Sequence, residues 1–475
     1  MPDGIPGQDH IFGGGASASI LHPAVLVALI LAGVLMFVLP RKYLLIPFLT
    51  FAFLVPLGQQ LVIGGVHWLV LRIVILCGLA RLTVIKFSAK GKVLGGGFNN
   101  IDKAFLGYVL LQAICFILLY HEMDAINNQF GYLIDFLGGY FLVRALIQDE
   151  ADLYRALKCL AVITVVLSIG MVREQLTTQN IFGLLGGVNL TPEVRLDKIR
   201  SQGAFQHSLT AGVFAAAMLP LFLILWKNAK AKVLAVVGVA GCTVMTICSN
   251  SSTPLLTYVA AVFAICLWPI RKQMRQVRWG LVVAIIALHL AMKAPVWFAI
   301  AHIDLTGGSS GYHRAELIDQ FITHFSDWWL IGTKDAANWG FDLWDQQNQY
   351  VSIGEVGGLG AFALFLTLIS RACARVGKAR RLVEGTKREW MVWFLGASLF
   401  AYLVGFFGVN LFDQSRIGWF LVLAMISAAY VSAARVWKSR ESQVDEVPVG
   451  DTREEMTPAL PSGDALALPK IWASR

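Results

Sequence analysis

Three basic residues, Arg195, Lys198 and Arg200, stand close together where RLDKIRSQGAFQHSLTAG runs into an apolar stretch. A fourth, Arg314, lies in GYHRAELIDQFITHFSDWWLIG. Guanidinium groups stay charged and grip oxyanions through paired N–H donors. A helix N-terminus adds more donors and a positive dipole end. Such a set suits a diphosphate; it equally suits pairing with the loop acids Glu193, Asp197 and Glu316, or with lipid phosphates. Further on, WGFDLWDQQNQYVSIGEVGGLGAF holds Asp345, Asn348, Tyr350 and Glu355. Asp345 is a candidate general base toward a hydroxyl, and Asn348 a candidate partner for a sugar hydroxyl. Both also fit an interfacial cap on the next helix. Trp328, Trp329, Trp339 and Trp344 offer faces for sugar stacking or an aromatic belt. His207, His313 and His324 are isolated histidines, ordinary as structural residues.

The elements that must position these residues are apolar. Hydrophobic residues make up 57% of the 475, charged residues 15%, and mean hydropathy is +0.65, well beyond an ordinary soluble domain. Runs of 17 or more apolar residues recur, each closed by polar or basic residues, which is the length that spans a bilayer core as a helix. Barrel-type alternation is absent, so helices are the spanning element. The expected fold is an all-α polytopic bundle of about 12–13 spans, read at 20–39, 43–62, 67–85, 104–120, 130–147, 157–172, 207–226, 232–249, 253–269, 279–299, 350–370, 390–411 and 417–434. Pro47 and Pro56 make the second of these weak. Residues 1–19 form an outer segment without the basic start of a signal peptide, 20–438 the membrane domain, and 439–475 a Pro-, Glu-, Asp- and Ser-rich tail expected to be disordered.

The net charge of +9 does not indicate nucleic acid. Most basic residues sit in alternate connections between apolar runs. Of the 39, only Arg173, Arg195, Lys198, Arg200, Lys293, Arg314, Lys334 and Arg416 fall in the other set, with Arg72 inside a span. The positive-inside rule then puts the N-terminus outside and the C-terminus in the cytoplasm. The seven cysteines lie in or at the ends of apolar runs with no CxxC pair, which suggests neither a disulfide framework nor a thiolate metal site. Two outer connections are long, about 173–206 and about 300–349. In the second, Leu317, Ile318, Phe321, Ile322, Phe325, Trp328 and Trp329 recur at helical spacing. This predicts an amphipathic helix on the outer membrane surface, capped by Ser309 or Ser310. Arg72 and Asp135 are ionisable residues inside spans at similar depth and are expected to form a structural ion pair.

Three motifs together resemble the O-antigen ligase and O-antigen polymerase superfamily. RSQGAFQHSLTAG (200–212) is similar to that family's Arg-x-x-Gly-x-x-x-His/Pro segment leading into a helix. YHRAELIDQF (312–321) with Trp329–Gly332 is similar to the Arg-bearing helix and Trp-Leu-x-Gly turn of its long outer loop. NQYVSIGEVGGLG (348–360) resembles its His-Asn-x-Tyr-Leu…Glu-x-Gly-x-x-Gly. The arrangement covers about 160–370. Gln347 stands where the family often has His, and thirteen spans are counted against its usual twelve.

The resemblance implies a bacterial inner-membrane glycosyltransferase acting at the periplasmic face. The donor would be a polyprenyl-diphosphate-linked glycan. The acceptor would be a sugar hydroxyl, on a second lipid-linked repeat (polymerase) or on a lipid core (ligase). It implies no nucleotide, metal or other cofactor, because arginines would neutralise the departing diphosphate. Arg200, Arg314 and Asp345 would be catalytic, with His313 and His207 as alternative bases. Arg195, Lys198, His207, His313, Asn348, Tyr350 and Trp329 would bind substrate. The competing expectation is a transporter or flippase of lipid-linked sugars, which should show repeated halves and broken midplane helices; no such repeat is seen. A structural or sensing membrane protein would have outer loops without an arginine focus.

Overall fold

The computed structural model describes residues 21–63, 66–89, 93–302, 311–340, 343 and 347–445. In chain order the elements are α1 (Pro23–Val38), α2 (Leu45–Leu54), β1 (Gln60–Ile63), β2 (Val66–Leu69), α3 (Val70–Ala89), α4 (Asn100–Tyr120) and α5 (Met123–Leu133). A π-helical turn, Ile134–Gly138, joins α5 to α6 (Gly139–Leu146). Then come α7 (Glu150–Thr177), β3 (Glu193–Arg195), β4 (Lys198–Arg200), α8 (Ser208–Phe222), α9 (Lys232–Cys248), α10 (Ser252–Cys266) and α11 (Met274–Ala291). The last of the described elements are α12 (Gly311–Thr323), α13 (Phe325–Trp328), α14 (Gln349–Leu382), α15 (Lys387–Gly405) and α16 (Ser415–Asp445).

Among the described residues, seven helical stretches are long and apolar enough to cross a membrane: Asn100–Tyr120, Glu150–Thr177, Ser208–Lys227, Ala229–Cys248, Trp268–Ala291, Gln349–Leu382 and Ser415–Trp437. They mark the chain as a multi-pass membrane protein. A helix lies within each stretch read from hydropathy, but the reading of 43–62 as one span needs correction. Helix α2 has 10 residues and ends where Val55 turns extended before Pro56. That is about 15 Å of helix, half a bilayer core of roughly 30 Å. The chain then forms the antiparallel β1–β2 hairpin, Gln60 opposite Leu69. With β3–β4 this makes two short hairpins among the described residues, in a fold expected to be all-α.

The bundle is built around α8. All of its residues from Ser208 to Phe222 are buried, and it packs against α9, α10 and α15. Small residues let its neighbours approach closely: a Cβ on Gly212 would lie 2.6 Å from Ser249 Oγ and 2.7 Å from Pro254. Helix α11 is the opposite case, with no buried residue. Helix α14 bends at Gly358, whose φ of +66° favours glycine. At the bend the preceding loop is strapped to it: Leu359 N–H donates to Trp329 O at 2.8 Å, and Thr333 N–H to Glu355 O at 2.8 Å.

Two further readings gain detail. Part of the apolar face of α12 is covered by the protein itself. Leu317 and Phe321 pack with Trp328, Leu343 and Val351 as a small core against the start of α14, while Tyr312 and Ile322 stay exposed. The protein itself offers that face a fitting partner, with Phe321 and Trp328 stacked at 3.9 Å. The tail is helical as far as Asp445, past the expected boundary at 438. Residues 1–19, Ser309, Ser310, Trp344, Asp345 and 446–475 lie outside the described residues.

Candidate functional site

The stretch from Ser201 to His207 is irregular yet buried, apart from Gln206 and His207, so its backbone polar groups need partners. The surrounding helices supply them. Glu174, at the end of α7, accepts from Gln202 N–H at 3.1 Å and Gly203 N–H at 3.0 Å. Asn180 donates to Gly203 O at 2.8 Å. Asp413, just before α16, accepts from Gln206 N–H at 3.2 Å and the Thr210 hydroxyl at 2.6 Å. Gln414 donates to Ala204 O at 2.6 Å. None of these partners was singled out from sequence as a site residue. Their signal was polar side chains at the ends of apolar runs, which does not say what they hold.

Fixed in this way, Arg200 is 7% exposed. Its Nη1 donates to both carboxylate oxygens of Glu193 at 2.9 Å, and its Nη2 to Ser251 Oγ at 3.3 Å. The Glu193 contact runs across the β3–β4 ladder, in which the two residues are opposite. His207 Nε2 lies 3.6 Å from Glu193 Oε2. On its other side, His207 Nδ1 accepts from Leu209 N–H at 3.1 Å as the N-cap of α8. A backbone N–H can only donate, so in the neutral ring the proton sits on Nε2. His207 is therefore a donor toward Glu193, which weakens its candidacy as a base.

Arg314 comes from the other long loop and is also 7% exposed. A Cβ on Gly408 would lie 3.1 Å from Arg314 Nε and 2.5 Å from Thr253 Oγ1, and Thr253 Oγ1 donates to Gly408 O at 3.3 Å. Arg200 through Ser251, and Arg314 through Gly408 and Thr253, thus meet the start of α10. The starts of other helices gather there. Asp413 ties α16 to α8, and Gln349 at the start of α14 accepts from Leu411 N–H at 2.8 Å. The first turns of α8, α10, α14 and α16, each a positive dipole end, are linked through the segment Gly408–Asp413.

The remaining candidates separate. Arg195 and Lys198 lie exposed and paired at the hairpin tip, flanking Leu196 and Asp197 with φ of 50° and 58°; they are apart from the buried Arg200. His313 is half-buried beside Arg314. Trp329 is 48% exposed. Asn348 is fully buried, and its Oδ1 accepts from Tyr350 N–H at 2.9 Å and Val351 N–H at 3.3 Å. Tyr350 donates to Leu403 O at 3.0 Å and packs on Phe407. Their geometry matches the helix-cap reading, with side chains engaged in the fold rather than offered to a sugar. Among the described residues no group of His, Cys, Asp and Glu could hold a metal ion.

Arg72 meets Asp135 through two hydrogen bonds, Nε to Oδ1 at 3.0 Å and Nη2 to Oδ2 at 3.1 Å. The pair expected from sequence has a third member: Arg416 Nη2 stands 3.4 Å from Asp135 Oδ2. Arg416 also lines a small aromatic cavity with Phe105, Tyr108, Phe136, Phe406 and Trp419. Comparison with models of known protein families and with curated proteins found no match to this chain.

Proposed function

We propose that this protein is a glycosyltransferase of the inner membrane that moves a polyprenyl-diphosphate-linked glycan onto an acceptor sugar hydroxyl at the periplasmic face. The observation that carries the reading is the meeting of Arg200 and Arg314, two buried guanidinium groups from separate long loops, at the start of α10. Burial strengthens charge–charge contacts. Fixed donors aimed at a leaving group that gains charge are how such departures are assisted. The acceptor hydroxyl loses its proton as its oxygen attacks the anomeric carbon, the bond from that carbon to the diphosphate breaks, and the diphosphate leaves with the electron pair. The sidedness of the basic residues supports the outer face as the place of reaction.

Glycan extension by purified protein with a lipid-linked donor tests the reading. Arg200→Ala and Arg314→Ala should each lower turnover by about 10²–10³. Folded variants that keep near-wild-type turnover would refute it. Transport of the lipid-linked donor across vesicles without a new glycosidic bond would point to a flippase instead.

A further inference from the structure

We infer that Glu193 is a built-in occupant of the Arg200 anion site, and that its carboxylate must swing out before a diphosphate can bind. This rests on the diphosphate reading above and adds how access to that site is controlled.

The two partners differ in freedom. The Arg200 side chain is 8% exposed and the Glu193 side chain 46%. The guanidinium is held from beneath by Ser251, and its strand continues into the segment clamped by Glu174. Glu193 covers it from the solvent side. Both carboxylate oxygens rest on Arg200 Nη1 at 2.9 Å, and Oε2 is 3.6 Å from His207 Nε2. A carboxylate in that position does what two oxygens of a phosphoryl group would do. Rotation about the Glu193 side-chain bonds moves it into solvent while the ladder pairing of Glu193 with Arg200 stays intact. The vacated place is then faced by Arg200 Nη1 and by the Nε2–H of His207, both donors.

The device sets a threshold. An anion must outcompete a tethered carboxylate, so its apparent affinity falls by the fraction of molecules in which Glu193 has moved away. A single phosphodiester headgroup in the bilayer offers one negative charge. A diphosphate offers more charge. The factor is the same for every anion, so Glu193 acts as an affinity threshold: a weakly held lipid headgroup falls below it while a diphosphate clears it.

Calorimetric binding of inorganic diphosphate to purified protein tests this, using Glu193→Gln, Glu193→Ala, Arg200→Gln and the Glu193→Gln/Arg200→Gln double variant. Removing the competing charge should tighten binding about tenfold in both Glu193 variants. Arg200→Gln should abolish binding, and the double variant should not regain it. Binding that is no tighter in either Glu193 variant than in wild type overturns the gate and leaves the diphosphate reading standing. Absence of binding to every folded protein overturns both.

Discussion

Gly131 lies directly against the Arg72 guanidinium: a Cβ there would sit 2.6 Å from Arg72 Cζ. The missing side chain gives Arg72 the room to lie flat against Asp135, 63 residues away in sequence, with both carboxylate oxygens engaged. Asp135 sits in the π-helical turn between α5 and α6 and also faces Arg416 from the start of α16. One acid thus ties together α3, the α5–α6 turn and α16 close to the site.

An unpaired charge inside a membrane costs roughly 2.5 kcal/mol or more at the centre of the bilayer. Asp135→Ala leaves two arginines facing each other without their shared acid, and the yield of folded protein should fall. Arg72→Ala/Asp135→Ala should recover part of the loss, and removal of Arg416 as well should recover more. Fluorescence-detected size-exclusion yields give the coupling. Strictly additive losses through the series would contradict a shared ion cluster.

Asn348 should behave as a helix cap. Asn348→Ala removes the acceptor for two backbone N–H groups at the start of α14, which typically costs about 1 kcal/mol. Asn348→Asp retains that acceptor and should melt close to wild type. If the side chain instead held a sugar, both variants would melt normally and lose binding of the glycan acceptor.

The helical stretches were legible because an apolar run of membrane length leaves few alternatives once the backbone must satisfy itself. The Arg72–Asp135 pair was legible because two buried charges at one depth need each other. Arg416 was hidden, since its position after the polar run Asp413–Ser415 reads as a connection. Likewise, hydropathy marks where a segment such as 43–62 is apolar but not where Pro56 ends its helix. The site itself was half legible. Arg200 and Arg314 stood out as scarce outer-side cations, yet whether Arg200 faced a ligand or Glu193 depended on the β3–β4 register. That register follows from a two-residue turn at Leu196 and Asp197, both at positive φ but without the Asn-Gly or Asp-Gly signature of such turns. Glu174 binds backbone N–H groups and Asp413 binds one together with the Thr210 hydroxyl, and backbone partners leave no pattern in a sequence.

Arg314→Lys is the substitution that separates charge from geometry at the site. Lysine keeps the positive charge but offers a compact ammonium in place of a planar fork of donors. Arg314 is buried on α12 against the Gly408 turn, so an ammonium there would have few positions from which to reach two oxygens. If Arg314 serves only to balance charge in the fold, lysine should restore both melting temperature and turnover. If it grips a departing diphosphate, lysine should restore the melting temperature while turnover remains down by about 10² or more, the usual loss for one oxyanion donor. Parallel thermal melts and glycan-extension rates for Arg314→Ala, Arg314→Lys and wild type decide between them. Turnover by the lysine variant within a few-fold of wild type would remove Arg314 from the proposed chemistry.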